Sequence, residues 1–134
     1  MPAPFTWTVR VYYEDTDAGG IVFYANYLKF FERARTEWLR AAGVDQQALL
    51  EREGAGFVVK SAHLDYHAPA RLDDQITLTL TVEKLGRASV QFAQKAYLGD
   101  LLLVEAQVKV GCVDLAAMRP RSLPGDVADK MRAA

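Results

Sequence analysis

The fold is decided by one stretch, Glu14–Gly43, which reads EDTDAGGIVFYANYLKFFERARTEWLRAAG. It begins with an acidic, glycine-containing turn (Glu14–Gly20), continues through four apolar residues (Ile21–Tyr24), and ends in a long amphipathic segment that stops at Gly43. A helix start presents unpaired N–H groups and a partial positive charge. The pattern therefore predicts a carboxylate beside oriented hydrogen-bond donors, which is the strongest chemical signal in the chain.

The amphipathic segment predicts one long helix. Its apolar residues recur every three or four positions, as a helix that covers a core requires, while the charged residues lie mostly off the stripe. The stripe comprises Tyr27, Leu28, Phe31, Ala34, Trp38, Leu39 and Ala42. Gly43 suits the position after the last helical turn because it tolerates a positive φ. The start stays open between a cap at Asn26 and a first turn nearer Val22, and a short second helix is expected at Gln46–Arg52.

Alternation of apolar and polar residues predicts strands on both sides of this helix. The predicted strands are Phe5–Glu14, Phe57–Tyr66, Gln75–Lys84, Ser89–Leu98 and Leu101–Asp114. Gly99-Asp100 has the composition of a tight hairpin turn, and a short polar helix is expected near Asp126–Arg132. One striped helix with an antiparallel sheet predicts an α+β domain. A single helix covers one face of the sheet and leaves long edges open, so we expect sheets to pair across subunits.

Length and composition narrow the class of protein. The 134 residues predict a single domain over 1–134. Sixteen basic and seventeen acidic side chains nearly cancel, and no basic block stands out, so neither nucleic acid nor an anionic membrane is the expected partner. Cys112 is the single cysteine, which excludes an intrachain disulfide and favours a reducing compartment. With no secretory signal and no apolar run near the roughly twenty residues of a membrane span, the sequence predicts a cytoplasmic protein without a transmembrane segment.

The acidic turn by itself allows more than one interpretation. A calcium loop that starts at Asp15 requires an acid or Asn at its fifth position and Glu at its twelfth, where this chain has Gly19 and Asn26. A phosphate loop requires a Gly-Lys-Ser/Thr ending, which the turn lacks. An ordinary turn in which an aspartate accepts local N–H groups remains open. The adjoining glycines and the bulky apolar helix start favour a functional site.

Other candidate chemistry is weaker. His63, Asp65 and His67 alternate as iron ligands sometimes do. However, the two histidines would be about 13 Å apart along a strand, which disfavours a shared metal and predicts solvated or ion-paired side chains. Cys112 is predicted to be a buried thiol rather than a nucleophile. No Gly-x-Ser-x-Gly elbow supports a serine hydrolase.

Several segments together resemble a known family. These are VRVYYEDTDAGG (Val9–Gly20), ERARTE (Glu32–Glu37), YHAPARLDD (Tyr66–Asp74) and Val113-Asp114. Together with the Asp-x-x-Gly-Ile-Val signature that starts at Asp17, they resemble the hotdog-fold acyl-CoA thioesterases of the hydroxybenzoyl-CoA thioesterase type. Within that family the chain is most similar to the thioesterases encoded with the bacterial Tol–Pal envelope system. The resemblance covers nearly the whole chain and implies a five-stranded sheet wrapped around the long helix, with an active site at the interface of a homodimer or homotetramer.

The resemblance also implies roles for individual residues. The family's catalytic carboxylate falls on Asp17, and the backbone N–H that polarises the thioester carbonyl falls on or next to Tyr24. Most members of the Tol–Pal branch have His at this position, so only the backbone role transfers to Tyr24. Substrate contacts fall on Phe57, Val58 and Val59, and coenzyme A phosphate contacts on Arg87 and Ser89. No metal and no cofactor are implied beyond coenzyme A as part of the substrate.

The expected reaction is hydrolysis of an acyl-CoA or acyl carrier protein thioester to a carboxylic acid and a thiol. The Asp17 carboxylate would attack the thioester carbonyl or deprotonate a water molecule, and the helix-start amide would stabilise the oxyanion. Two alternatives stay open. A hotdog dehydratase normally has a catalytic histidine near the helix, whereas His63 and His67 come on a later strand. A non-catalytic acyl-binding module is the other.

Overall fold

A computed structural model describes residues 3–134 of the chain. Its helices and strands are β1 (Phe5–Arg10), α1 (Asn26–Ala41), α2 (Gln46–Glu53), β2 (Ala55–Tyr66), β3 (Gln75–Leu85), β4 (Ser89–Leu98), β5 (Leu101–Asp114), β6 (Arg119–Pro120) and α3 (Gly125–Ala133). Each predicted helix and strand is therefore present, most of them within two residues of the predicted bounds.

The sheet is antiparallel, with strand order β1-β3-β4-β5-β2, and it curls around α1. The predicted α+β architecture, an antiparallel sheet with one long helix against it, is confirmed. The short strand β6 adds a sixth member beside β5, and the sequence does not predict it because two residues carry no alternation. At one edge of the sheet, β2 pairs only with β5 among the described strands.

Helix α1 fills the concave side of the sheet with large apolar side chains. Its buried residues are Tyr27, Phe30, Phe31, Ala34, Trp38 and Leu39. The rings of Trp38 and Phe92 meet edge-to-face with centroids 5.4 Å apart, a contact worth about 0.5–1.5 kcal/mol beyond burial. Leu28, which the stripe places in the core, is instead 46% exposed and lines a groove beside β2.

Strand β1 is shorter than its alternation predicts, so the predicted range Phe5–Glu14 is wrong at its end. The strand stops at Arg10, and a single 3₁₀ turn follows at Tyr13–Asp15. The cause is Asp15, whose Oδ2 accepts the N–H of Tyr12 at 2.8 Å and curls the chain out of the sheet.

Strand β2 contains one extra residue. Val59 pairs with Val110 and Ser61 with Lys109, so Lys60 has no partner in the ladder. This β-bulge reverses the alternation along the second half of the strand. Gly111 leaves room for the Lys60 side chain, because a Cβ there would lie 2.7 Å from Cδ of Lys60.

The helix ends follow the sequence signals. Gly43 has φ of +87°, and Nζ of Lys130 on α3 donates to its carbonyl oxygen at 3.1 Å. The Asp45 side chain caps α2 by accepting the N–H of Ala48 at 3.0 Å, and Gly54 ends that helix with φ of +66°. Within residues 3–134, no helix combines the length and apolar character that crossing a bilayer requires.

Candidate active site

Asp17 lies at the tip of a tight turn between two short bridged segments. Its N–H donates to the carbonyl oxygen of Ile21 at 2.9 Å, and its own carbonyl oxygen accepts the N–H of Gly20 at 3.0 Å. Its side-chain Oδ1 accepts the N–H of Gly19 at 2.8 Å. One carboxylate oxygen thus stabilises the turn, as an ordinary Asx turn predicts, while the exposed Oδ2 makes no hydrogen bond to the described residues.

The second aspartate of the turn, Asp15, is buried and holds the turn against the helix. Besides binding Tyr12 through its side chain, its carbonyl oxygen accepts the Phe23 N–H at 2.9 Å and the Asn26 Nδ2–H at 2.8 Å. The local pattern alone does not separate the roles of Asp15 and Asp17, because both flank Thr16, and only the family resemblance selects Asp17. In the structure, Asp15 is buried and connects the turn to the start of α1, whereas Asp17 is exposed and stabilises only the turn itself.

The start of α1 carries a free backbone donor. The N–H groups of Phe23 and Asn26 are both hydrogen-bonded, to Asp15 and Phe23 respectively. The N–H groups of Tyr24 and Ala25, which lie between them, meet no acceptor among residues 3–134. Of the two predicted starts, neither is correct: the helix begins at Asn26, with Ala25 in the capping position, and the Asn26 side chain reaches Asp15.

Tyr66 connects the end of β2 to this helix start. Its hydroxyl donates to the carbonyl oxygen of Tyr24 at 2.9 Å across 42 residues of sequence. The Tyr66 ring also meets the rings of Tyr24 and Tyr27 edge-on, at centroid distances of 6.0 Å and 5.9 Å. Burial raises the pKa of Tyr66, and the neighbouring Tyr24 adds to the effect. The sequence analysis missed Tyr66, since nothing in the strand pattern indicates a contact with the helix start.

Tyr27, in the first turn of α1, is the second tyrosine near the helix start. It is 3% exposed, and its hydroxyl is buried with no hydrogen-bond partner among the described residues. Burial, with smaller contributions from Tyr66 and Asp74, raises its pKa to about 12. Its hydroxyl therefore stays protonated and neutral throughout the physiological range.

A cavity of about 120 Å³ lies between α1, α2, α3 and the sheet. Its apolar wall consists of Leu39, Phe57, Val59, Val90, Phe92, Val110 and Met131. An apolar cavity of about 150 Å³ is known to accept benzene, so this one suits a group somewhat smaller than a single ring. Two of the predicted substrate residues, Phe57 and Val59, line the cavity, whereas Val58 does not.

The polar rim of the same cavity holds a guanidinium. Arg35 donates to Oε1 of Gln94 at 3.0 Å, and the fully buried Gln94 donates in turn to the carbonyl oxygen of Phe31 at 3.0 Å. No carboxylate of the described residues lies within salt-bridge distance of Arg35. Burial lowers its pKa, opposed in part by Glu32. Neither Arg35 nor Gln94 is identifiable as a pair from sequence, because 59 residues separate them.

Arg87 and Ser89 lie together at the turn between β3 and β4. Nε of the exposed Arg87 donates to Oγ of Ser122 at 3.1 Å, and the Ser89 carbonyl oxygen accepts the Gly86 N–H at 2.8 Å. The predicted site residues therefore form three groups within one chain. Asp17 lines a surface depression that also contains Tyr13 and Leu72. Phe57 and Val59 line the cavity. Arg87 and Ser89 lie at the turn between β3 and β4.

The other candidate groups take ordinary positions. Nε2 of His63 is 3.3 Å from Oδ2 of Asp65, and Nε2 of His67 is 3.3 Å from Oε2 of Glu105, so both exposed histidines have a carboxylate neighbour, as predicted. His67 follows the last residue of β2 rather than lying on it. Cys112 is buried, as predicted, and burial raises the pKa of its thiol.

Comparison with known proteins identifies the family. Residues 19–105 match the family model described as the thioesterase superfamily. The chain belongs to the thioesterase superfamily. The acyl-CoA thioesterase YbgC of Haemophilus influenzae is 49% identical over 123 residues, which cover 92% of this chain and 90% of that protein. The acyl-CoA thioester hydrolase YbgC of Escherichia coli O6:H1 is 48% identical over 124 residues, covering 92% of each chain.

A solved structure agrees with the superfamily assignment. The crystal structure of a probable thioesterase from Bartonella henselae matches with a TM-score of 0.87 at 33% identity, over 91% of this chain and all 100% of that one. The family predicted from the sequence is therefore confirmed.

Proposed function

We propose that the protein hydrolyses acyl-CoA thioesters, with Asp17 as the catalytic carboxylate and the Tyr24 N–H as the oxyanion donor. The observation that carries the proposal is the N–H of Tyr24, which has no acceptor among the described residues and follows Phe23, whose own N–H is held by the carbonyl oxygen of Asp15. The relatives at 48% and 49% identity are named acyl-CoA thioester hydrolase and acyl-CoA thioesterase, which supports the enzyme class and the substrate.

The proposed chemistry uses two features of the turn and the helix. The thioester carbonyl oxygen accepts the Tyr24 N–H, and negative charge develops on that oxygen as the carbonyl carbon is attacked. Loss of one such donor typically costs roughly 10²–10³ in rate. Oδ2 of Asp17, free of hydrogen bonds to the described residues, either attacks the carbonyl to form an anhydride or removes a proton from water. Both routes release coenzyme A and end in a free carboxylic acid.

The proposal includes a homodimer or homotetramer with the site at a subunit interface. Within one chain, Asp17 lines a surface depression and the Phe57 cavity is a separate space. An edge strand such as β2 offers unpaired backbone groups to a second copy. The partner would then supply the acyl-contacting wall of Phe57, Val58 and Val59 to the Asp17 turn. Light scattering at assay concentration tests this part, and a monomeric mass would contradict it.

The coenzyme A end of the substrate is assigned to the turn between β3 and β4. Arg87 is exposed and its one side-chain hydrogen bond, to Ser122, leaves further guanidinium donors for a phosphate. Ser89 lies two residues later and adds a hydroxyl. A thioester of acyl carrier protein is the alternative donor, because its phosphopantetheine arm presents a phosphate of the same chemistry. Comparing kcat/KM for the coenzyme A and carrier-protein thioesters of one acyl group shows which donor the enzyme uses. If Arg87→Ala does not raise KM for either thioester, Arg87 is not part of the site.

The test of the proposed function is a panel of short, long and aromatic acyl-CoAs assayed for thiol release with wild type and Asp17→Asn. We expect turnover to fall at least about a hundredfold in Asp17→Asn, as for loss of a general base. Asparagine retains an Oδ1 that accepts the Gly19 N–H, so the fold stays intact. Asp100→Asn, at an exposed hairpin turn, is the matched control and should retain full turnover. Near-normal turnover by folded Asp17→Asn would overturn the assignment.

Single-turnover hydrolysis in heavy-oxygen water separates the two roles of Asp17. Nucleophilic attack followed by hydrolysis of the anhydride at the Asp17 carbonyl places a light oxygen from the carboxylate in the product and a heavy oxygen in Asp17. General-base catalysis places the heavy oxygen of water in the product and leaves Asp17 unlabelled.

The same panel detects the alternative functions. Hydration of an enoyl thioester would indicate a dehydratase, and tight binding without turnover would indicate an acyl-binding module. The structure gives the dehydratase no support, since His63 and His67 are exposed and lie at β2 rather than at the start of α1. The cytoplasmic location and the association with the Tol–Pal system rest on composition and resemblance. Cell fractionation tests the first, and an envelope phenotype of a deletion strain tests the second.

A further inference from the structure

Two spaces in the fold share one lining side chain. Met131 of α3 lines the 120 Å³ cavity that holds Phe57 and Val59. It also lines a groove of about 550 Å³ on the other side of α3, whose apolar wall includes Phe5, Trp38, Leu80, Val82 and Leu85. Among the described residues, Met131 is the one side chain common to both linings.

The backbone that carries Met131 is fixed, while its side chain can move. Val127 and Ala128 bury one face of α3 in the core, and Lys130 ties the helix to the carbonyl oxygen of Gly43 at 3.1 Å. Met131 itself is 4% exposed, so it packs as part of the core. Methionine is unbranched and has three rotatable bonds, which makes it adaptable when its surroundings change. The place where the cavity and the groove share a lining residue is therefore occupied by a deformable side chain.

We propose that Met131 sets the length of the acyl chain that the enzyme accepts. The inference rests on the proposed function, because it takes the Phe57 cavity as the acyl pocket. An acyl group of a few carbons fills the 120 Å³ cavity and ends against Met131. A longer saturated chain has to pass Met131, and beyond it meets the apolar groove that Trp38 and Leu80 line. The occupant of that groove is thus the distal part of a long saturated acyl chain.

The first experiment changes the size of the side chain in both directions. The kcat/KM of Met131→Ala and Met131→Phe is measured for saturated acyl-CoAs of four to twelve carbons. We expect the decanoyl-to-butanoyl ratio to rise at least about tenfold in Met131→Ala, since a few methylenes in an apolar pocket are worth about that factor. The ratio should fall in Met131→Phe. Met118→Ala, at a residue that is 64% exposed, is the matched control and should keep the wild-type ratio.

A second experiment does not depend on turnover. The groove contains Trp38 and the small cavity does not, so Trp38 fluorescence reports a chain that enters the groove. The measurement uses a Trp7→Phe background, which removes the other tryptophan, and titrates decanoic acid into protein with and without Met131→Ala. We expect a change in Trp38 emission with decanoic acid in the Met131→Ala protein and little change in the protein that retains Met131.

The outcomes separate this inference from the proposed function. An unchanged chain-length ratio in both Met131 variants, with thioesterase activity intact, would overturn the role of Met131 alone. Absence of thioester hydrolysis by wild type would overturn the proposed function, while the fluorescence titration still tests the barrier. If Met131→Ala does not fold, Met131→Val makes a smaller opening and the same ratio decides. An equal response of Trp38 with and without Met131→Ala would show that Met131 is no barrier.

Discussion

Replacing Gln94 by leucine should destabilise the protein far more than the loss of one polar side chain at the surface. Gln94 is fully buried and joins two elements, donating to the Phe31 carbonyl oxygen of α1 and accepting from Arg35, both at 3.0 Å. A neutral hydrogen bond contributes about 0.5–1.5 kcal/mol, and one to a charged group about 1.5–3 kcal/mol. Because water still reaches the half-buried Arg35, we expect a loss in the lower part of the combined range, about 2–3 kcal/mol.

The assay is urea unfolding of wild type, Gln94→Leu, Arg35→Met and the double variant. All are measured at one protein concentration, since the stability of an oligomer depends on it. The double variant should be destabilised by clearly less than the two single variants together, because Gln94→Leu alone leaves a buried guanidinium without its acceptor. Gln107→Leu, on an exposed position of β5, is the control. If the losses in unfolding free energy of the two single variants simply add in the double variant, the two residues are not coupled. A Gln94→Leu variant within about 0.5 kcal/mol of wild type would refute the predicted loss of stability.

Two further predictions concern the tyrosines behind the helix start. Tyr66→Phe removes the hydrogen bond to the Tyr24 carbonyl oxygen but keeps the ring contacts, so we expect kcat to fall up to about tenfold, the rate equivalent of one ordinary hydrogen bond. KM and the melting temperature should change little. Tyr97→Phe on β4 is the control and should leave kcat unaltered. A wild-type kcat in Tyr66→Phe would show that Tyr66 does not position the helix start. Tyr27 has a folded-state pKa of about 12 against an ordinary 10.0, so the folded state holds the proton more tightly and stability is lost as pH rises from about 10 through 12. Tyr27→Phe should flatten this alkaline loss and cost little stability at pH 7, because the hydroxyl it removes is buried without a partner among residues 3–134. Melting curves at pH 7 and pH 10.5 test this, and an unchanged alkaline slope would contradict the assignment.

Much of the fold follows from local patterns in the sequence. The apolar stripe and Gly43 place α1, and the alternation of β3, β4 and β5 places those strands within a residue of their observed ends. The early end of β1 does not follow, because Tyr13 fits the alternation and only the Asp15 side chain turns the chain away. Intrinsic patterning identifies an element, whereas a side chain that competes for backbone groups decides where it stops.

The candidate site is less accessible to sequence reasoning. The acidic turn and the helix start are adjacent in the chain, so their proximity is readable from spacing and from the family resemblance. Tyr66 contacts Tyr24 across 42 residues of sequence, and Arg35 contacts Gln94 across 59. No local pattern encodes pairs that are so far apart. Whether the Phe57 cavity serves the Asp17 turn depends on a second chain, which lies outside what one sequence specifies.

The extra residue in β2 has a consequence for how related sequences vary. With Lys60 outside the ladder, Val59 and Ala62 line one groove although they are three positions apart. Leu64 packs against the core while His63 and Asp65 face water. Deleting Lys60 alone would remove the bulge and keep Ser61 opposite Lys109, so Val59 and Ala62 would become ordinary i, i+2 neighbours and Leu64 would still face the core. A homologue that lost this residue could therefore keep the same apolar and polar order from position 61 onward, whereas loss of a residue from the paired part of the strand would require the opposite order.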